Sequence, residues 1–104
     1  MQNISPRDAS RLLTGGAATL LDVREPWEIA LAALKPALCI PMQELPNRFD
    51  ELDPARPIIV LCHHGNRSRQ VAEWLEQNGC ATVFNLTGGI AAWSRDIDPG
   101  IPCY

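Results

Sequence analysis

Lysine is almost absent from this chain of 104 residues, which contains only Lys35. The 9 Lys and Arg residues are outnumbered by 12 Asp and Glu residues, so the formal net charge is -3 at pH 7. A protein that binds a phosphate backbone needs an excess of cations on one face. The composition therefore argues against a nucleic acid partner, and the length predicts one domain that spans residues 1–104.

Long apolar runs are also missing, as is a basic segment followed by an apolar core near the first residue. We therefore expect a cytoplasmic protein with no membrane association. The cysteines show neither the close spacing of a metal site nor an export signal that would favour disulfides. We expect free thiols, no metal and no other cofactor. The four cysteines are Cys39, Cys62, Cys80 and Cys103.

Apolar and turn-forming residues alternate along the chain in a way that predicts strands separated by helices. Ser5 and Pro6 are typical of a helix start, and Pro26 predicts a second one. Strands are predicted at 19–23, 38–40, 58–61 and 82–86, and further helices at 44–52, from 68 to a stop at Gly79, and after 88–89. This alternation predicts an α/β fold with a parallel sheet covered on both faces. Trp27, Trp74 and Trp93 are interpreted as packing residues.

The segment Cys62 to Ser68 reads Cys-His-His-Gly-Asn-Arg-Ser and directly follows the predicted strand 58–61. Open α/β sheets bind ligands beyond the carboxyl ends of their strands, where the next helix presents its positive end. No Asp or Glu lies between 55 and 72, whereas the same window contains Arg56, His63, His64, Arg67 and Arg69. The pattern predicts an anion site that favours a thiolate. The alternative is a cysteine that is simply a small buried apolar residue.

Three segments together resemble the single-domain rhodaneses: Leu-Asp-Val-Arg-Glu-Pro-Trp-Glu at 21–28, the segment 62–68, and Leu-Thr-Gly-Gly-Ile-Ala-Ala-Trp at 86–93. The resemblance implies a rhodanese-like three-layer sandwich, in which a five-stranded parallel sheet carries helices on both faces. The chain departs from the family at 32–37, where Ala-Ala-Leu-Lys-Pro-Ala replaces the usual Gly-His-Ile-Pro-Gly-Ala. It also has His63 where many members carry Arg.

The resemblance implies a sulfurtransferase that moves a sulfane sulfur from thiosulfate or a related persulfide to cyanide or a thiol. Cys62 would be the nucleophile and would carry the sulfur as a persulfide. Arg67 is the first candidate for orienting the oxygens of the donor, because its guanidinium offers forked hydrogen-bond donors. The amides from His63 to Ser68 would stabilise the negative charge, and no carboxylate should lie near.

The other residues of the loop have less defined roles. Gly65 would let the backbone bend inward, and at most one of His63 and His64 should face the anion. Asn66 is assigned to the loop that binds substrate. Ser68 either caps the following helix or touches substrate. A second polar pair, Asp22 and Arg24, is interpreted as structural support for neighbouring loops.

Other functions share some of these features. Domains of this family also act as non-catalytic binding or regulatory modules, although usually without the cysteine. Phosphatases and arsenate reductases with a cysteine loop place Arg six positions after the nucleophile, whereas position 68 is Ser, so this loop is one residue shorter. Zinc binding by Cys62, His63 and His64 is disfavoured, because adjacent histidines fit one metal poorly.

Overall fold

The computed structural model describes residues 1–104, with five helices and five strands. The helices are α1 (Pro6–Thr14), α2 (Pro26–Leu31), α3 (Leu45–Arg48), α4 (Asn66–Gln77) and α5 (Gly89–Asp96). The strands are β1 (Gln2–Ile4), β2 (Thr19–Asp22), β3 (Leu38–Cys39), β4 (Ile58–Leu61) and β5 (Val83–Leu86). Single 3-10 turns at Met42–Glu44 and Phe49–Glu51 flank α3.

The strands form one parallel sheet in the order β1-β5-β4-β2-β3. The central strand β4 consists of four apolar residues that are completely buried. Burying each of these side chains contributes about 1.5–3 kcal/mol. This strand is therefore the firmest element of the sheet, and the segment that begins with Cys62 leaves directly from its end. The five-stranded parallel sheet predicted from the resemblance is confirmed.

Helices cover both faces of the sheet, as predicted. Ile58 and Val60 of β4 face a core that includes Leu45 of α3, and Val71 and Leu75 of α4. The opposite core takes Ile59 and Leu61 of β4 together with side chains from α1 and α5; these are Ala9, Ile90 and Trp93. None of the helices has the length and apolar character that a membrane crossing requires.

Local signals in the sequence place several boundaries correctly. Ser5 caps α1, since its Oγ accepts the Asp8 amide at 3.1 Å. Strand β1 was not predicted, because it is a three-residue edge strand with two exposed polar residues. The single helix predicted at 44–52 is wrong. This segment divides into α3 and two 3-10 turns because the backbone leaves helical geometry at Arg48, where φ is -122 and ψ is 16.

One tryptophan also departs from the prediction. Trp93 is buried and Trp74 packs partly against the core, but Trp27 is 62% exposed. Trp27 lies on α2, and its ring meets the ring of Tyr104 edge to face at 6.2 Å between centroids. It is therefore a surface residue near the carboxyl edge of the sheet.

Candidate active site

Cys62 lies at the carboxyl end of the central strand, and α4 begins four residues later. The loop 62–65 makes the turn because Gly65 adopts a left-handed backbone with φ 104. Other residues rarely adopt such a φ, since a Cβ would crowd the following carbonyl. The prediction that the thiol lies between the end of a strand and the amino end of a helix is confirmed.

The amino end of α5 is hydrogen-bonded to the loop that begins with Cys62. Ile90 donates its amide to the Cys62 carbonyl at 2.9 Å, and Ala91 donates to the His63 carbonyl at 3.2 Å. Gly89, with φ 61, lies so close to both carbonyl oxygens that a Cβ there would be no more than 2.5 Å from either. The carbonyl and the next amide of a trans peptide point in opposite directions. Consequently the amides of His63 and His64 point away from α5.

These loop amides have no acceptor of their own. The amides of His63, His64, Asn66, Arg67 and Ser68 donate to no backbone or side-chain acceptor in the chain. The last three belong to the first turn of α4, where amides lack partners within the helix. Such a run of free amides forms a concave site for an anion.

Cys62 is only 1% exposed, but its side chain has polar partners. The Gly65 amide donates to Sγ at 3.1 Å, and the Cys62 thiol donates to Ser68 Oγ at 3.2 Å. Ser68 in turn donates to Oδ1 of Asn85 on β5. The helix cap is Gly65, and Ser68 is the third residue of α4, so the capping role considered for Ser68 is wrong.

Asn85 closes this hydrogen-bond network. Its Nδ2 donates to the Gly65 carbonyl at 3.3 Å and to Asn3 Oδ1 at 3.2 Å. Because both bonds require the amide nitrogen, they hold the carbonyl oxygen of Asn85 towards Ser68. Sequence reasoning missed Asn85. Its only signal is that it is the polar residue in the otherwise apolar strand β5.

Arg67 is held by a carboxylate that comes from another part of the chain. Its Nη1 and Nη2 donate to Oε2 and Oε1 of Glu28, both at 2.7 Å. Glu28 is 3% exposed, and the Arg67 hydrogen bonds lower its pKa to about 2. Glu28 also accepts the Glu25 amide, and the two residues form a capping box on α2. The prediction that no carboxylate lies near this loop is wrong, because α2 delivers one.

A second ion pair lies nearby and is fully buried. Arg24 Nη2 donates to Asp22 Oδ2 at 2.6 Å, and Arg24 Nε donates to Asp22 Oδ1 at 2.9 Å. Both side chains are at most 1% exposed. Arg24 Nη1 also donates to the Tyr104 hydroxyl at 3.0 Å, and this hydroxyl donates to Glu28 Oε1 at 3.0 Å. Tyr104 therefore links the buried pair to the pair at the loop.

The rings of the two histidines stack on each other. Their ring centroids are 3.9 Å apart, and His63 stacks on Tyr104 at the same distance with an interplanar angle of 9°. Burial is the main cause that lowers the pKa of His63. His64 and Asn66 are exposed. No group of three or more potential ligands is arranged to hold a metal ion.

Comparison with known proteins gives a consistent result. The model of the family described as Rhodanese-like domain matches residues 5–96. The chain is 44% identical to the Rhodanese-like/PpiC domain-containing protein 12, chloroplastic, of Arabidopsis thaliana, in a match that covers 84% of this chain and only 30% of that protein.

Two bacterial relatives match over most of their length. A protein named Sulfurtransferase from Allochromatium vinosum is 39% identical, with 84% of this chain and 81% of the relative covered. Thiosulfate sulfurtransferase GlpE of Actinobacillus pleuropneumoniae is 33% identical, with 95% and 89% covered. Among solved structures, a rhodanese-like domain protein from Staphylococcus aureus superposes with a TM-score of 0.85 and 28% identity, covering 100% of this chain and 99% of its own.

Proposed function

This chain belongs to the rhodanese-like domain family, and we propose that residues 1–104 form one sulfurtransferase domain. It would move a sulfane sulfur from thiosulfate or a persulfide to cyanide or a thiol, through a persulfide on Cys62. The observation that carries this proposal is the Cys62 sulfur beside the Gly65 amide, in a loop with five further amides free. The names of the two bacterial relatives support it.

In the first step, the Cys62 thiolate attacks the outer sulfur of the donor. With thiosulfate, the S–S bond of the donor breaks and its electron pair leaves with sulfite, while a new S–S bond forms at Cys62. The second step reverses the roles, because the acceptor attacks the outer sulfur and Cys62 leaves as a thiolate. This is covalent catalysis that divides one transfer into two displacements. The free loop amides would stabilise the negative terminal sulfur between the steps.

The Ser68 hydroxyl can change its hydrogen bond when the charge on the Cys62 sulfur changes. Its hydroxyl has one proton, which points to Asn85 while the Cys62 thiol donates to its oxygen. When Cys62 is a thiolate or a persulfide, the same hydroxyl can turn and donate to sulfur. Ser68 therefore belongs to the substrate-binding loop in this proposal, together with His63, His64, Gly65 and Asn66.

Arg67 is proposed as the second catalytic residue, which contacts the donor. Its side chain is 35% exposed, and its pKa is raised mainly by the hydrogen bonds to Glu28, with a smaller contribution from Cys62. Since Cys62 itself is 1% exposed, a donor reaches the sulfur only when side chains at the loop move. Asp22 and Arg24 would support the site structurally, because their buried pair anchors Tyr104 next to His63.

The proposed partners are a small sulfur donor and a thiophilic acceptor, with no nucleic acid or membrane involved. A reducing compartment such as the cytoplasm suits this chemistry, since all four cysteines are free and Cys62 must be reduced to react.

The decisive test is the mass of the protein after incubation with thiosulfate. The native protein should gain one sulfur atom and release sulfite, and Cys62→Ser should gain none. Cys39→Ser is the matched control, because it removes an exposed thiol and leaves the loop intact. Sulfur transfer to Cys62→Ser, or an aryl phosphatase activity that depends on Cys62, would contradict the proposal.

A further inference from the structure

Every arginine near the loop is paired with a carboxylate. Arg67 is bound by Glu28 through two bonds of 2.7 Å. Arg24 is paired with Asp22, and Arg69 Nε lies 3.9 Å from Glu73 Oε1. The charged residues between 55 and 72 are all cationic. In the folded protein, carboxylates from α2 and from farther along α4 neutralise the charges of the loop arginines.

Solvent also screens the two charges of the Glu28–Arg67 pair unequally. The Glu28 side chain is 4% exposed, whereas that of Arg67 is 35% exposed. Solvent weakens the field of an exposed charge more than that of a buried one. At Cys62, the attraction of Arg67 for an anion is therefore largely offset by Glu28. A dianion that enters the site is therefore attracted much less strongly than it would be by an unpaired arginine.

The rim of the site is aromatic. Trp27 meets Tyr104 edge to face, Tyr104 stacks on His63, and His63 stacks on His64. His63 is in its neutral form more readily than an ordinary histidine, because burial lowers its pKa. Such a row of rings offers surface to an organic group and few donors to an inorganic oxyanion.

The geometry points to Glu28 as the residue that sets the donor specificity of the site. By compensating Arg67, Glu28 adapts the site to an organic persulfide, whose reacting sulfur group carries at most one negative charge, in preference to dianionic thiosulfate. This inference rests on the proposed sulfurtransferase activity and identifies the class of its donor.

The chemical step with an organic persulfide balances without an oxidant. The Cys62 thiolate attacks the outer sulfur of R–S–S⁻, and the S–S bond of the donor breaks. Its electron pair leaves on the thiolate R–S⁻, and the new S–S bond at Cys62 leaves one negative charge on the terminal sulfur. Any proton on the outer sulfur of the donor stays with that sulfur.

The test measures single-turnover loading of Cys62 with thiosulfate and with 2-hydroxyethyl persulfide, whose only charge lies on the persulfide group, by mass spectrometry. The native protein should load at least tenfold faster from the persulfide. Glu28→Gln keeps the shape of the side chain and frees the charge of Arg67, so the ratio of thiosulfate rate to persulfide rate should rise about tenfold, with a stronger dependence of the thiosulfate rate on salt. Glu73→Gln is the control, because it removes the carboxylate that pairs with Arg69. The ratio of thiosulfate rate to persulfide rate in this variant should stay within twofold of the native ratio.

Different failures are distinguishable. If neither donor loads native Cys62, the proposed function fails. If thiosulfate loads native Cys62 as fast as the persulfide, or if Glu28→Gln lowers both rates without changing their ratio, only the specificity inference fails. Glu28→Gln combined with Arg67→Gln keeps a neutral hydrogen-bonded pair if the single variant does not fold. Its donor ratio should not rise above the native one, because the charge that Glu28→Gln frees is no longer present, and a tenfold higher ratio would overturn the inference.

Discussion

Replacing Gly89 by Ala tests whether α5 positions the loop that begins with Cys62. The new Cβ would lie no more than 2.5 Å from the carbonyl oxygens of Cys62 and His63, so the backbone must move. That movement breaks the two bonds from the amides of Ile90 and Ala91 to the same carbonyls. The loop amides would then no longer be held away from α5, and the Cys62 sulfur would lose its fixed position.

The size of the effect follows from two contributions. A residue with a Cβ at φ 61 costs about 1–2 kcal/mol. Each lost hydrogen bond costs about 0.5–1.5 kcal/mol more. We therefore expect Gly89→Ala to lower the free energy of unfolding by about 2–5 kcal/mol. A small domain with a stability of about 5–15 kcal/mol can still fold after this loss.

Gly16→Ala is a matched control. Gly16 has φ 68, close to that of Gly89, but nothing lies within 4 Å of the position of a Cβ there. This variant should lose only the conformational contribution of about 1–2 kcal/mol and should load sulfur at the native rate. Urea unfolding followed by tryptophan fluorescence measures the stability, and mass spectrometry measures the loading of Cys62.

The two variants separate strain from the support of the loop. We expect Gly89→Ala to load Cys62 at least tenfold more slowly than Gly16→Ala under conditions where both are folded. Equal stability of the two variants would show that the contact between α5 and the loop contributes nothing. Equal loading rates would show that this contact does not position the sulfur, and the account of the site would have to be abandoned.

Three further predictions concern polar groups around the site. Asn85→Leu removes the acceptor and donor that order the loop, and we expect a loss of about 2 kcal/mol in urea unfolding and at least threefold slower loading of Cys62; native loading would contradict this role. Asp22→Asn leaves Arg24 buried without a counter-charge and should cost about 3–5 kcal/mol, whereas Glu51→Gln breaks an exposed pair and should cost about 1 kcal/mol at most; equal losses would refute the argument from burial. The folded-state pKa of Glu28 is about 2, below its ordinary value of 4.5. Its contribution of about 3 kcal/mol should therefore be present above pH 4.5 and be lost as the pH falls towards 2, and Glu28→Gln should show a smaller loss over this window in acid unfolding.

The parts of the fold that the sequence predicts are those set by neighbouring residues. The apolar strand β4, the loop glycine Gly65 and the helix after it follow from local patterns, as does the capped start of α1. Strand β1 could not be recognised in this way. Only its pairing with β5 makes it a strand, because its short polar sequence has no pattern of its own.

The site is divided in the same way between residues placed by their sequence neighbours and residues placed by distant parts of the chain. Cys62 and the free amides around it were predictable, because the strand, the glycine and the helix that place them are consecutive in sequence. The partners of this loop come from far away: Glu28 is 39 residues from Arg67, Asn85 is 17 residues from Ser68, and Tyr104 reaches Glu28 across 76 residues. No local pattern contains these contacts.

This difference explains why the charge of the loop was the least predictable property. A count of charges within 55–72 describes a strongly cationic site, but an arginine at the edge of a core is stable only with a counter-charge. Folding supplies that charge from whichever element is adjacent, and here α2 brings Glu28 to Arg67. The electrostatic character of this site is therefore set by the ion pair that joins α2 to α4. The charges of the loop alone favour a dianion, whereas the pairing of Arg67 with Glu28 is the reason to infer a donor with less charge.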